Sequence, residues 1–109
     1  MILHQIFLTL KDNRENEIRR QLELGEKYLT DHPGEVSFAA STLAHGLKRH
    51  KQVQYLHNEQ NFDVAFHIIW KDVASHDAYQ VSDKHVRHFI PLSKSNWTEV
   101  RVFDTELQG

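Results

Sequence analysis

The residues best equipped for chemistry lie close together late in the chain, where AYQVSDKHVRHFI (78–90) sets Tyr79, His85 and His88 among apolar residues. An imidazole that titrates near neutral pH can take up and release a proton. A phenol hydroxyl can donate to a carbonyl oxygen as negative charge develops on it. His85 as general base with Tyr79 as oxyanion donor is therefore a sufficient pair for proton abstraction from an enolisable carbonyl compound, or for an aldol-type closure. The structural alternative is that Tyr79 packs with its hydroxyl at a rim while His85 satisfies a backbone carbonyl, as buried polar rings usually do. His4 shares a strand face with Ile6 and Leu8 and would form the floor of any pocket built there.

Metal chemistry has weaker support. His85 and His88 stand three residues apart, but a metal needs a third ligand and supporting hydrogen bonds, and the spacing selects neither Asp83 nor Glu99. The chain has no cysteine, which excludes thiolate sites and disulfides, and it has no GxSxG and no glycine-rich phosphate loop. Neither a metal nor a cofactor is expected.

Those side chains must be held by a small fold. A chain of 109 residues is expected to form a single domain over 1–109, with little surplus core to spare for a cavity. Its 13 basic and 15 acidic residues leave no broad positive field, so no nucleic-acid partner is expected, and the basic run HGLKRHK (45–51) reads as a solvated loop. The start, MILHQIFLTLKDN, lacks a basic leader and is interrupted by His4 and Gln5. Neither a secretory signal nor a membrane span is expected, and a cytoplasmic location follows as the default.

Residues 2–10 alternate as a strand with apolar residues on both faces. A helix follows, capped by Asp12 or Asn13, with a stripe of Ile18, Leu22, Gly25 and Leu29 widened by Gln21, Leu24 and Tyr28, and it ends before His32-Pro33-Gly34. VSFAASTLA (36–44) reads as a second strand and FDVAFHIIW (62–70) as a third. Between them the polar span 45–61 is a long loop able to act as a lid, although VQYL (53–56) could pack locally. Asp72 caps a helix over 73–80, Ser82 or Asp83 starts a further helical turn that Pro91 stops near Ile90, and TEVRVFD (98–104) is the last strand. The order β, α, β, β, α, β specifies an α+β, ferredoxin-like antiparallel sheet of four strands with helices on one face. Phe7, Ala65 and Ile69 point to the other face, which predicts a homodimer that covers it.

LHQIFLTLKD, HPGEVSF, FDVAFHIIWKDVASHDAYQVSDKHVRHF and the closing VRVFD, taken as an ordered set, resemble the stress-responsive A/B barrel (Dabb) family, dimeric α+β barrels. The resemblance implies that barrel fold over nearly the whole chain. By likeness to a plant polyketide cyclase of the family, it also implies a pocket between sheet and helices in which His85 and Tyr79 act, with His4 on the first strand. Val64 stands where such a cyclase carries a third-strand histidine, and His67 lies on the opposite face of that strand. On this reading Val64, Phe66 and Phe89 join His4 in contacting the substrate.

The leading expectation is thus a homodimeric barrel protein binding a small apolar or aromatic carbonyl compound, with cyclase- or isomerase-like acid/base chemistry. A non-catalytic, stress-associated binding protein is the alternative. A cofactor-independent monooxygenase is a second, to which Asn96 and Trp97 bear a loose likeness; Trp70 and Trp97 otherwise read as core or interface aromatics.

Overall fold

The computed structural model describes residues 1–47 and 59–109. Four strands, β1 (Ile2–Leu10), β2 (Glu35–Thr42), β3 (Val64–Trp70) and β4 (Trp97–Glu106), form one sheet in the order β2-β3-β1-β4 with every neighbouring pair antiparallel. Helices α1 (Glu15–Tyr28), α2 (Val73–Gln80) and α3 (Ile90–Lys94) complete the ferredoxin-like α+β arrangement, with a π-helical turn at Lys84–Phe89 leading into α3. The span 48–58, including the 53–56 segment and most of the expected lid, lies outside the described residues.

Register decides which side chains meet. On β1 the buried positions are His4, Ile6, Leu8 and Leu10, and opposite them on β3 stand Ile68, Phe66 and Val64, all facing the helices. Gly25 of α1 lies directly over this row. A Cβ there would overlap the Phe66 ring, so the missing side chain lets helix and sheet approach closely. Phe66 is in turn stacked on Phe38 and edge-on to Phe89, at centroid distances of 5.9 and 6.0 Å.

A buried polar joint fixes the C-terminal helical segment on α1. The Ser93 hydroxyl donates to Gln21 Oε1 (2.5 Å), Gln21 Nε2 donates to the Ser93 carbonyl (3.2 Å), and the Trp97 indole N–H donates to Ser93 Oγ (2.8 Å). Gln21 and Ser93 are fully buried, and these bonds satisfy polar groups that would otherwise be costly there.

Two local expectations need correction. α1 is entered through Arg14, whose side chain makes no capping bond. Asp12 instead accepts from the Arg14 backbone N–H (3.1 Å) and pairs with its guanidinium, one residue ahead of the helix. Pro91 does not stop the helical segment near Ile90. Proline has no N–H to give and is tolerated in a first turn, and here it opens α3, while the wider π turn before it closes on the Ile90 N–H to His85 carbonyl bond. The helix over Val73–Gln80 forms as expected, with the Asp72 carboxylate accepting from the Ser75 N–H at 2.9 Å.

The outer sheet face carries Phe7, edge-on to Phe62 and Phe103, beside a polar chain in which His67 bonds Gln5 Oε1 (2.9 Å) and Ser41 Oγ (2.7 Å). Phe103 is 52% exposed. Ala65, on the same face, is fully buried. No helix among the described residues is long and apolar enough to cross a membrane.

Candidate functional site

A pocket of about 250 Å³ opens where β4, the edge strand, runs past the end of α2 and the π turn. Ile6, Phe89, Ile90, Trp97, Val100 and Val102 give it apolar walls, and His4, His76, Gln80, His85 and Asp104 gather at one end. The β1/β4 register sets His4 directly across from Asp104, and Ile6 across from Val102.

Each imidazole at that end is held by an oxygen that can only accept. His4 Nδ1 meets Asp104 Oδ1, His85 Nδ1 lies 3.0 Å from the Gln80 carbonyl, and His76 Nδ1 lies 3.0 Å from Asp77 Oδ1. In the neutral rings the proton therefore sits on Nδ1 and the lone pair on Nε2. Burial favours the neutral form of two of them: it pulls His85 below the ordinary histidine value despite the Gln80 carbonyl, and pulls His4 down against the opposing influence of Asp104. His85 thus enters the pocket as an uncharged base with Nε2 free of that backbone bond.

Within the π turn the rings of His85 and Phe89, four residues apart, stack at 6.1 Å and 12°, and both line the pocket. His88 turns away and lies flat against Tyr28 at 5.3 Å. His85 and His88 are accordingly not brought to one metal.

Tyr79 is adjacent but on the far side of these rings. It is 2% exposed, its ring packs 4.7 Å from those of both His85 and Trp70 and 5.1 Å from His32, and its hydroxyl finds no hydrogen-bond partner among the described residues. Burial, with the nearby charges of Glu35 and Asp104, raises its pKa and keeps the phenol protonated. It does not line the pocket, so it backs His85 instead of facing a substrate. Val64 and Phe66 are likewise fully buried under α1 and away from the pocket walls, whereas His4 and Phe89 line it. Asn96 exchanges 2.8 Å bonds with the Asp12 backbone and is not part of the site; Trp97 is a wall.

His76, Gln80 and Asp104 escaped the sequence reading. Their signals were present: His76 is three residues before Tyr79 on the same helix, and Asp104 alternates in step with Val102 and Val100 on the strand beside His4.

The depressed histidines set a pH dependence for stability. His67 on the outer face and His85 are both lowered from 6.5 by burial, so below 6.5 the unfolded chain binds protons that the folded chain resists. Their contribution is complete above 6.5 and is lost as the pH falls toward the folded values. At fixed protein concentration the urea midpoint is expected to be lower at about pH 5.5 than at about pH 7.5, and equal midpoints would contradict this.

No family model matches the sequence, and no curated protein is similar to it. The fold does have solved counterparts. A dimeric ferredoxin-like protein of unknown function from Thermobifida fusca is 16% identical with a TM-score of 0.74, over 97% of this chain and 90% of that one. A Dabb family protein with a ferredoxin-like fold from Mesorhizobium loti is 18% identical with a TM-score of 0.72, over 99% and 97% of the two chains. A hydroxynitrile lyase from Passiflora edulis is 13% identical with a TM-score of 0.72, over 98% and 93%. The architecture expected from the resemblance is thus one that a Dabb family protein has, and at these identities the likeness is of fold.

Proposed function

We propose that residues 1–109 form a single stress-responsive A/B barrel domain whose pocket binds a small apolar or aromatic carbonyl compound, with His85 as the proton acceptor. The observation that carries this reading is a neutral imidazole whose Nδ1 is pinned to the Gln80 carbonyl and which forms one wall of an otherwise apolar pocket. The carbonyl end of a ligand meets the cluster of His4, His76 and His85, while its body lies against Phe89, Trp97 and Val102. A volume of about 250 Å³ falls below the ~300–1,000 Å³ usual for drug-sized ligands, which selects a compact substrate. That a hydroxynitrile lyase has this fold supports small-molecule chemistry as something the architecture can host. The buried hydroxyl of Tyr79 favours one competing reading, a binding protein without turnover, because the base then lacks the oxyanion donor expected from sequence.

Saturable quenching of tryptophan fluorescence by members of a panel of aromatic aldehydes and ketones tests the binding reading. Val102→Trp, which fills the pocket from its half-exposed edge strand, is expected to abolish binding while the melting transition is retained. Binding that persists in that variant would place the ligand elsewhere.

The chain is further proposed to act as a homodimer through the outer sheet face, where Phe7 and Phe103 meet and half of Phe103 is open to water. Similar solved proteins are dimeric. Light scattering at micromolar concentration is expected to give about twice 12.9 kDa, and Phe103→Arg is expected to give the monomer. A monomeric wild type would remove this assembly.

A further inference from the structure

We propose that His4, His76 and Asp104 bind a divalent transition-metal ion of the zinc class at the polar end of the pocket. One ligating atom from each residue lies within 4.8 Å of the other two, and the three come from three different elements, β1, α2 and β4. The rings of His4 and His76 stand 4.8 Å apart at 64°, edge to face, and Asp104 is the cross-strand partner of His4. Zinc bonds to imidazole nitrogen and carboxylate oxygen of ~2.0–2.2 Å put two ligands of a tetrahedral ion about 3.3 Å apart. Small side-chain shifts are therefore enough to form the site, and Asp104, whose side chain is 47% exposed on an edge strand, would exchange its present bond to His4 Nδ1 for the ion. Two imidazoles and one carboxylate, in a chain without cysteine, select a transition metal over calcium or magnesium.

A second feature points the same way. His76 Nδ1 is held by the Asp77 carboxylate at 3.0 Å, the carboxylate–histidine arrangement that orients a ligating imidazole and raises its basicity. Among the described residues its Nε2 meets the Gln80 amide at 3.2 Å, a pocket-lining group on an adjacent turn that can turn aside. His85 is not a member of the trio and keeps its bond to the Gln80 carbonyl. Three protein ligands leave a coordination position facing the pocket, where the ion would polarise a substrate oxygen while His85 takes the proton. That last consequence rests on the carbonyl-binding reading; the metal site does not.

Titration of chelator-stripped, substrate-free protein with zinc chloride in a calorimeter tests the site. One ion per chain at a dissociation constant of about a micromolar or tighter is expected. His76→Ala and Asp104→Asn are each expected to weaken binding by about tenfold or more, with far-UV spectra and melting transitions retained. His88→Ala, which removes a histidine stacked on Tyr28 outside the pocket, is expected to leave affinity unchanged. Cobalt(II) should give a visible absorption band that both ligand variants lose. The proposal is overturned by no saturable binding up to about 1 mM zinc, by an effect confined to one of the two ligand variants, or by a loss in His88→Ala equal to theirs. Failure here with carbonyl binding intact would remove the ion and leave the pocket reading standing.

Discussion

If the proposed acid/base chemistry holds, His85→Ala is expected to lower turnover of a carbonyl compound bound in the pocket by about 10²–10⁴-fold, the usual range for removing a positioned general base. The same change deletes one hydrogen bond, from Nδ1–H to the Gln80 carbonyl, and so is expected to cost about 1 kcal/mol of stability. The two effects are separable by size and by a second variant. His85→Asn keeps an N–H donor near the carbonyl but offers no base, so it should recover stability and not turnover. Steady-state rates and urea midpoints measured on the three proteins check this. An alanine variant that turns over like wild type, with only its stability reduced, would contradict the catalytic reading and leave a binding protein.

Phe66→Ala is expected to cost about 3–5 kcal/mol, as for other large-to-small changes in a close-packed core. The ring is fully buried, meets α1 where Gly25 has no side chain, and contacts Phe38 and Phe89 on either side. Alanine would leave a cavity that Gly25 cannot fill. Since small domains hold only ~5–15 kcal/mol in total, the variant should be partly unfolded near physiological temperature. The converse change, Gly25→Ala, drives a methyl group into the same ring, which has nowhere to move, and is expected to cost about 1–3 kcal/mol or more. Chemical denaturation measures both, and a Phe66→Ala loss under about 1 kcal/mol would show that the row of side chains under α1 is not tightly packed.

The architecture was legible because its signals are periodic. Alternation along 2–10 and 62–70 and the stripe through Ile18, Leu22, Gly25 and Leu29 each name one face, and the order of elements then specifies the sheet. The site was legible only in part. His4, His85 and Phe89 could be named from their neighbours, and all three line the pocket. Tyr79, Val64 and Phe66 sit one layer too deep, because strand and helix periodicity tells which way a side chain points and not how much lies above it. Val64 and Phe66 are covered by α1, whereas Val100 and Val102, on the edge strand, are left to form the wall. The pairing of Asp104 with His4 depends on the register of strands nearly the whole chain apart, which alternation does not supply. The π turn is equally hidden, since nothing in KHVRHFIP marks it except a proline that sequence reasoning takes as a stop.

Nitrogen-15 NMR of histidine-labelled protein, titrated with aromatic aldehydes and ketones near neutral pH, tests the central claim most directly. The account predicts that His85 is in the neutral Nδ1–H form and that its Nε2 resonance shifts saturably with ligand, while His88 stays where it was. A charged or Nε2–H His85, or a ligand response in which His88 moves and His85 does not, would contradict it.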